Sequence, residues 1–126
     1  LYPEFYEGLK DLESFKYIFV VFELNPSRKK PSMEVSPPWA PRKKVGVFAS
    51  RSAQRPNPIG ISIVEIKSIL ENTLYVSQTD VYDGTPVLDI KPYIKDLDSK
   101  SDANFGWIEL LDNKQEIIRH IRNLPH

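Results

Sequence analysis

The stretch Gly46–Ser62, GVFASRSAQRPNPIGIS, sets two guanidinium groups, Arg51 and Arg55, beside one amide, Asn57, held between Pro56 and Pro58. Proline fixes its own φ and drives the residue before it toward extended geometry. Arg55 and Asn57 are therefore both expected to be extended and stiff. A stiff polar loop loses little entropy on holding a ligand, and two cations beside an amide suit an anionic or zwitterionic one. A second cluster follows at Asp80–Lys91, DVYDGTPVLDIK. Asp80, Asp83 and Asp89 surround the turn Asp83-Gly84, where glycine accepts a positive φ at no steric cost. One segment supplies guanidinium groups and a rigid amide. The other supplies carboxylates and the backbone N–H groups of Gly84 and Thr85. Together they can enclose a zwitterionic small molecule. Each feature also has a purely structural reading. Asp-Gly is a common hairpin turn, the two arginines can pair with Asp80 or Asp83, and Asn57 can cap a bend through its side chain.

Charge is unevenly spread. The chain is neutral overall, yet Arg28, Lys29, Lys30, Arg42, Lys43, Lys44, Arg51 and Arg55 face a single acid, Glu34, over residues 28–55. A segment of +7 on a balanced chain is a candidate contact for a polyanion such as RNA, or simply a solvated loop. Trp39 lies within it and can stack on a base or pin the loop to the domain.

Several function classes lose support. There is no cysteine, and both histidines, His120 and His126, fall near the end of the sequence. Disulfides and thiolate metal sites are excluded, and a histidine metal site or a Ser-His-Asp triad is disfavoured. No Gly-x-Gly-x-x-Gly or P-loop pattern occurs. No apolar run is long enough to span a membrane and no signal peptide is visible, so the default expectation is a cytoplasmic protein.

The elements that must position these residues are mostly short strands. The 126 residues include eleven prolines and five glycines, which favours loops over long helices and, by length, one domain. Leu9, Leu12 and Phe15 predict a short helical turn. Lys16–Leu24 is rich in β-branched and aromatic residues and reads as a buried strand. Residues 25–44 read as an exposed irregular loop. Val45–Ala49 reads as a strand entering the arginine loop. Ile59, Ile61 and Ile63 alternate before Val64 and Ile66 fall out of phase, which predicts a bulge near Ile63–Val64. Glu71-Asn72 turns into a strand over Leu74–Val81, Pro86–Ile90 is extended, and Phe105–Leu111 reads as a last strand. Asp112–Arg122 is the one convincing helix, with Asp112 as N-cap and Gln115 completing a capping box. The expected fold is mainly β: a small single-domain β-barrel, spanning residues 1–126, with a short helix near the start and a C-terminal helix.

The two motifs, read together as GVFASRSAQRPNPIGIS and DVYDGTPVLDIKPY, resemble the TrmO/TsaA family of S-adenosylmethionine-dependent tRNA methyltransferases. The family pattern is roughly G-V-F-A-T-R-S-x-x-R-P-N-P-I-G followed by D-x-x-D-G-T-P-x-x-D-I-K-P-Y, with Ser50 here in place of a frequent threonine. The resemblance runs from about Leu12 to Tyr93. The family's opening strand, an Ile-Gly-x-Ile segment with a Pro-Arg-Gln-like stretch, has no counterpart, so an incomplete chain is expected. The resemblance implies a β-barrel methyltransferase without a Rossmann domain. It also implies a homodimer with S-adenosylmethionine bound near the subunit interface. The implied reaction methylates N6 of N6-threonylcarbamoyladenosine beside the tRNA anticodon. It places Asn25, Arg51, Arg55, Asn57, Ile61, Asp80, Asp83, Gly84 and Thr85 at the cofactor. Asp89, Asp83 and Lys91 are left for catalysis, Asp89 or Asp83 as general base and Lys91 or Arg55 pairing with the substrate's threonyl carboxylate. Arg28, Lys29, Lys30, Arg42, Lys43 and Lys44 would grip tRNA phosphates. Two alternatives stand beside this: a non-catalytic RNA-binding barrel, and a methyltransferase acting on a small molecule. No metal and no membrane partner are expected.

Overall fold

The computed structural model describes residues 1–24, 30–79 and 81–122. The fold is mainly β. Six strands are present among the described residues: β1 (Tyr17–Glu23), β2 (Glu34–Val35), β3 (Val45–Gly46), β4 (Ile59–Leu70), β5 (Thr73–Val76) and β6 (Val87–Pro92). They pair as a four-stranded sheet in the order β5-β4-β1-β6 and a two-stranded ribbon of β2 with β3. These pairings, among the described residues, do not amount to a closed barrel.

The chain divides into two compact units. The first takes its described residues from 1–19, 63–79 and 91–122. Its start is a 3-10 helix, Pro3–Leu9, with Pro3 in the first turn, where a missing N–H costs nothing. Ile18 of β1, Val64 of β4, Leu9 and Ile117 are its buried apolar residues. Tyr93 packs against Phe19 and Tyr17, with ring centroids 5.4 and 6.2 Å apart. β4 and β5 form the antiparallel hairpin that the sequence predicts, turning at Glu71, which sits at φ +54°.

Four local expectations for this unit need correction. The bulge lies at Lys67, between the pairs Ile66 with Val76 and Ser68 with Tyr75, and not at Ile63–Val64. β5 stops at Val76 instead of reaching Val81. There the Ser77 hydroxyl accepts the Glu65 N–H at 2.9 Å, replacing a ladder carbonyl by a side chain. Phe105–Leu111 is not a strand; Gly106, at φ +61°, leads a 3-10 helix over Gly106–Leu110. The C-terminal helix, α1, covers Lys114–Arg122. The Asn113 carbonyl accepts the Ile117 N–H at 3.2 Å, so Asn113 and not Asp112 holds the N-cap position. Arg119, His120 and Arg122 occupy the last turn, where cations suit the helix dipole.

The second unit takes its described residues from 20–24, 30–62 and 81–90. Here the basic segment departs from the expected irregular exposed loop. Val35, Pro37, Ala40, Val45 and Val47 are buried, with Val47 only 1% exposed. Two tight turns connect them, closed by Ala40 N–H to Pro37 C=O at 2.9 Å and Lys43 N–H to Ala40 C=O at 3.1 Å. Prolines that read as loop punctuation here shape turns around a small apolar cluster. Val45–Ala49 is a strand for two residues only; Val47–Ala49 is a 3-10 turn, because the Ser50 N–H and hydroxyl both bond back to the Val47 carbonyl.

Candidate functional site

The arginine loop is built by short polar side chains bonding to nearby backbone. The Ser50 hydroxyl donates to the Val47 carbonyl at 2.8 Å and accepts the Ser52 N–H at 3.3 Å. The Ser52 hydroxyl accepts the Gln54 N–H at 3.1 Å. Each serine thus bends the chain over two residues. The Gln54 carbonyl accepts the Ser32 N–H at 3.0 Å, tying the loop to the segment before β2. Around Pro58 the Ile59 N–H reaches the Asn57 carbonyl at 2.8 Å, a three-residue turn that a proline-fixed φ suits. The Pro58 carbonyl then accepts the Leu24 N–H at 2.7 Å, anchoring the bend to the end of β1.

Arg55 closes the loop on itself. Its Nη1 donates to the Ser50 carbonyl at 2.9 Å and approaches the Ser52 carbonyl at 3.5 Å, the two carbonyls on either side of Arg51. Its guanidinium lies over the Phe48 ring, 5.9 Å from the centroid, within cation–π range. Arg51 differs. Among the described residues no hydrogen bond or ion pair engages its side chain. The loop spends one guanidinium on its own backbone and leaves the other available.

A cavity of about 490 Å³ opens beside this loop, inside the range of about 300–1,000 Å³ typical of small-molecule sites. Phe22 and Leu24 from β1, and Ile59 and Ile61 from β4, supply apolar walls; Ser50, Arg51, Arg55 and Asn57 supply polar groups. Gly60 lets these walls form. A Cβ there would stand 2.6 Å from the Phe22 ring and 2.9 Å from a Leu24 methyl, closer than carbon atoms tolerate.

Of the expected site residues, Arg51, Arg55, Asn57 and Ile61 therefore come together in one cavity. Asp83, Gly84, Thr85, Asp89 and Lys91 do not line it. Gly84 sits at φ +82° in a turn closed by Thr85 N–H to Tyr82 C=O at 3.1 Å, as the motif predicts. Asp89 accepts the Ile90 N–H through Oδ1 at 2.8 Å. Among the described residues neither arginine pairs with Asp83; Asp80, the other partner in that structural reading, lies outside them. Lys30, Arg42 and Lys44 are exposed and Lys43 is half-buried. Asn25, Arg28, Lys29 and Asp80 lie outside the described residues. No group of three or more His, Asp or Glu suited to a metal ion occurs among the described residues. Nor is any described helix long and apolar enough to cross a membrane.

Sequence reasoning missed Phe22, Leu24, Phe48, Ser50, Pro56, Ile59 and Gly60 as cavity residues. Only Ser50 carried a usable signal: serines spaced by two, before a proline-rich bend, favour side-chain-capped turns. Removing the Arg55 clamp is expected to loosen the loop. Arg55→Ala should lose about 1–3 kcal/mol of unfolding free energy from its hydrogen bonds and ring contact, measured by urea denaturation. Arg55→Lys should recover less than half of that, because an ammonium cannot match the planar fork.

A small, mainly β domain thus carries a cleft with apolar walls and one uncommitted guanidinium, a shape and charge suited to a small molecule with an apolar body and an anionic end. The model of the tRNA-methyltransferase O N-terminal domain family matches residues 1–99, and the chain belongs to that family. It is 40% identical over 119 residues to a probable S-adenosyl-L-methionine-binding protein of Pyrococcus abyssi, covering 94% of this chain and 64% of that one. It is 40% identical over 93 residues to a tRNA (adenine(37)-N6)-methyltransferase of Mus musculus, covering 73% of this chain and 22% of that one. A crystal structure of TrmO superposes with a TM-score of 0.64 at 36% identity, over 79% of this chain and 43% of that one. The chain spans less than two thirds of the length of each of these three relatives.

Proposed function

We propose that this chain is the methyl-donor-binding part of an S-adenosylmethionine-dependent tRNA methyltransferase acting on N6 of the adenine beside the anticodon, with N6-threonylcarbamoyladenosine as the acceptor. The observation that carries this reading is the cavity holding Arg51, Arg55, Asn57 and Ile61, with Arg51 uncommitted. The names of the relatives above support it.

The residues present fit the donor. Arg51 suits its carboxylate through charge-assisted hydrogen bonds. Phe22, Leu24, Ile59 and Ile61 suit its apolar and aromatic parts. S-adenosylmethionine, when bound, supplies an electrophilic methyl group. The chain's own contribution is to hold donor and acceptor in line, which supplies much of the acceleration in such displacements. The acceptor nitrogen must also lose a proton, and Asp89 or Asp83 is the proposed base. Lys91 is proposed to pair with the threonyl carboxylate. These residues are not among those lining the cavity, so the proposal requires the second motif to reach the acceptor in the assembled enzyme. A homodimer is proposed for that assembly. Ile59, Ile61, Val87 and Leu88 support it as large apolar side chains, each about half exposed in the second unit. Closure into a barrel, action as a single domain, and work in the cytoplasm on tRNA belong to the same proposal.

Mass spectrometry of tRNA incubated with the protein and isotope-labelled S-adenosylmethionine tests it. Label on N6 of the anticodon-adjacent adenosine is expected; unlabelled tRNA beside an active full-length relative would refute it. A second reading, an RNA-binding domain without catalysis, is favoured by one observation: no carboxylate among the described residues lines the cavity. Both readings use the basic segment. Neutralising Lys30, Arg42, Lys43 and Lys44 together should flatten the dependence of log K for tRNA on log salt. The expected loss is roughly 0.7–0.9 of slope per phosphate contact removed, read from binding titrations at several salt concentrations.

A further inference from the structure

Phe48 is the odd member of the cavity lining. It is 75% exposed, well above Ile59 and Ile61 at about half in the same lining. Exposed apolar residues are common singly, but this one is backed. The Arg55 guanidinium lies over the ring at 5.9 Å, and that guanidinium is itself tied to the Ser50 and Ser52 carbonyls. A ring carrying a fixed cation and still three-quarters open is a pre-built platform for another flat π-system. Asn57 lines the same cavity, and among the described residues its side-chain amide has no hydrogen-bond partner. An asparagine amide can both donate and accept, and its paired donor and acceptor match N7 and the N6 amine of adenine.

We propose that Phe48, braced by Arg55, stacks on an adenine ring whose edge is read by Asn57. The inference rests on the proposed function, which supplies two adenines: that of the methyl donor and that of the RNA acceptor. The chemistry they share is a flat purine with an N7 acceptor and an N–H at N6.

Two titrations separate the sources. S-adenosylhomocysteine, followed by calorimetry, probes the donor adenine. An anticodon stem-loop, compared with the same RNA abasic at the acceptor position, probes the other. Loss of stacking in Phe48→Ala is expected to weaken one of these by about tenfold or more, from typical base–aromatic stacking, while Phe48→Trp keeps wild-type affinity. A weaker S-adenosylhomocysteine titration assigns the platform to the donor. A vanished difference between intact and abasic RNA assigns it to the acceptor. For the edge contact, wild-type protein should prefer S-adenosylhomocysteine to S-inosylhomocysteine, and Asn57→Ala should erase the preference. The proposal is overturned if the wild type binds and Phe48→Ala binds both ligands equally well. It is also overturned if Phe48→Trp is as impaired as Phe48→Ala, or if Phe48→Ala changes only the oligomeric state in sedimentation. Wild-type protein that binds neither ligand would sink the proposed function as well, which distinguishes the two failures.

Discussion

Replacing Arg51 with alanine is expected to raise the dissociation constant for S-adenosylmethionine by about ten- to a hundredfold and leave thermal stability unchanged. The size follows from a hydrogen bond to a charged group, about 1.5–3 kcal/mol, where each 1.4 kcal/mol is about tenfold. The lack of effect on stability follows from position. The side chain is exposed, lines the cavity and has no partner among the described residues, so its removal strands no buried group. Arg55 provides the contrast within the same loop, because its loss should lower stability through Ser50 and Ser52. Arg51→Lys should fall between wild type and alanine, keeping the charge and losing the fork. Calorimetry with a parallel thermal melt checks both halves. A stability loss in Arg51→Ala as large as in Arg55→Ala would show that the two arginines do not divide the work.

Gly60→Ala is expected to reduce donor affinity more than any other single-methyl addition near the site. In an ordinary strand this change gains about 0.5–1 kcal/mol, because glycine is entropically costly there. Here the new Cβ would meet the Phe22 ring at 2.6 and 2.7 Å and a Leu24 methyl at 2.9 Å. Overpacking of this kind costs typically about 1–3 kcal/mol, so the clash outweighs the propensity gain. The blocking atoms are ends of side chains, so the strain is relieved by moving Phe22 and Leu24. Both line the cavity, and their movement reshapes it. Expected are a melting temperature lowered by several degrees and at least a tenfold loss of affinity for S-adenosylmethionine. Gly84→Ala separates this effect from backbone strain: it carries the φ of +82° but has nothing within 4 Å of an added Cβ. It should cost stability without altering the cavity. Equal affinities for wild type and Gly60→Ala would mean that Phe22 and Leu24 do not touch the donor.

The two bends of the candidate site were legible because local chemistry determines them. Two prolines around Asn57 and a glycine after Asp83 restrict the backbone directly, and both bends form where the sequence puts them. β1 was legible for the same reason: seven consecutive β-branched, aromatic or strand-compatible residues leave few options. Features that depend on distant partners were not. Phe22 and Leu24 read as buried strand residues, and only the lack of a side chain on Gly60 turns them into a cavity wall. Arg55 read as a ligand or ion-pair residue, because nothing local says that its guanidinium will reach back five residues to the Ser50 carbonyl. The basic segment read as loop because prolines and lysines dominate it. Its Val35, Ala40 and Val45 become a core only when β2 pairs with β3. Ile59 and Ile61 alternate as a buried face would, yet each is half exposed, because both wall the open cavity.

The most direct measurement is a crystal structure of the protein soaked with S-adenosylhomocysteine. The expected result is ligand density in the cavity beside β1 and β4, with its carboxylate within hydrogen-bond distance of the Arg51 guanidinium. Clear density elsewhere on the protein, with Arg51 still uncommitted, would contradict the assignment of this loop as the donor site.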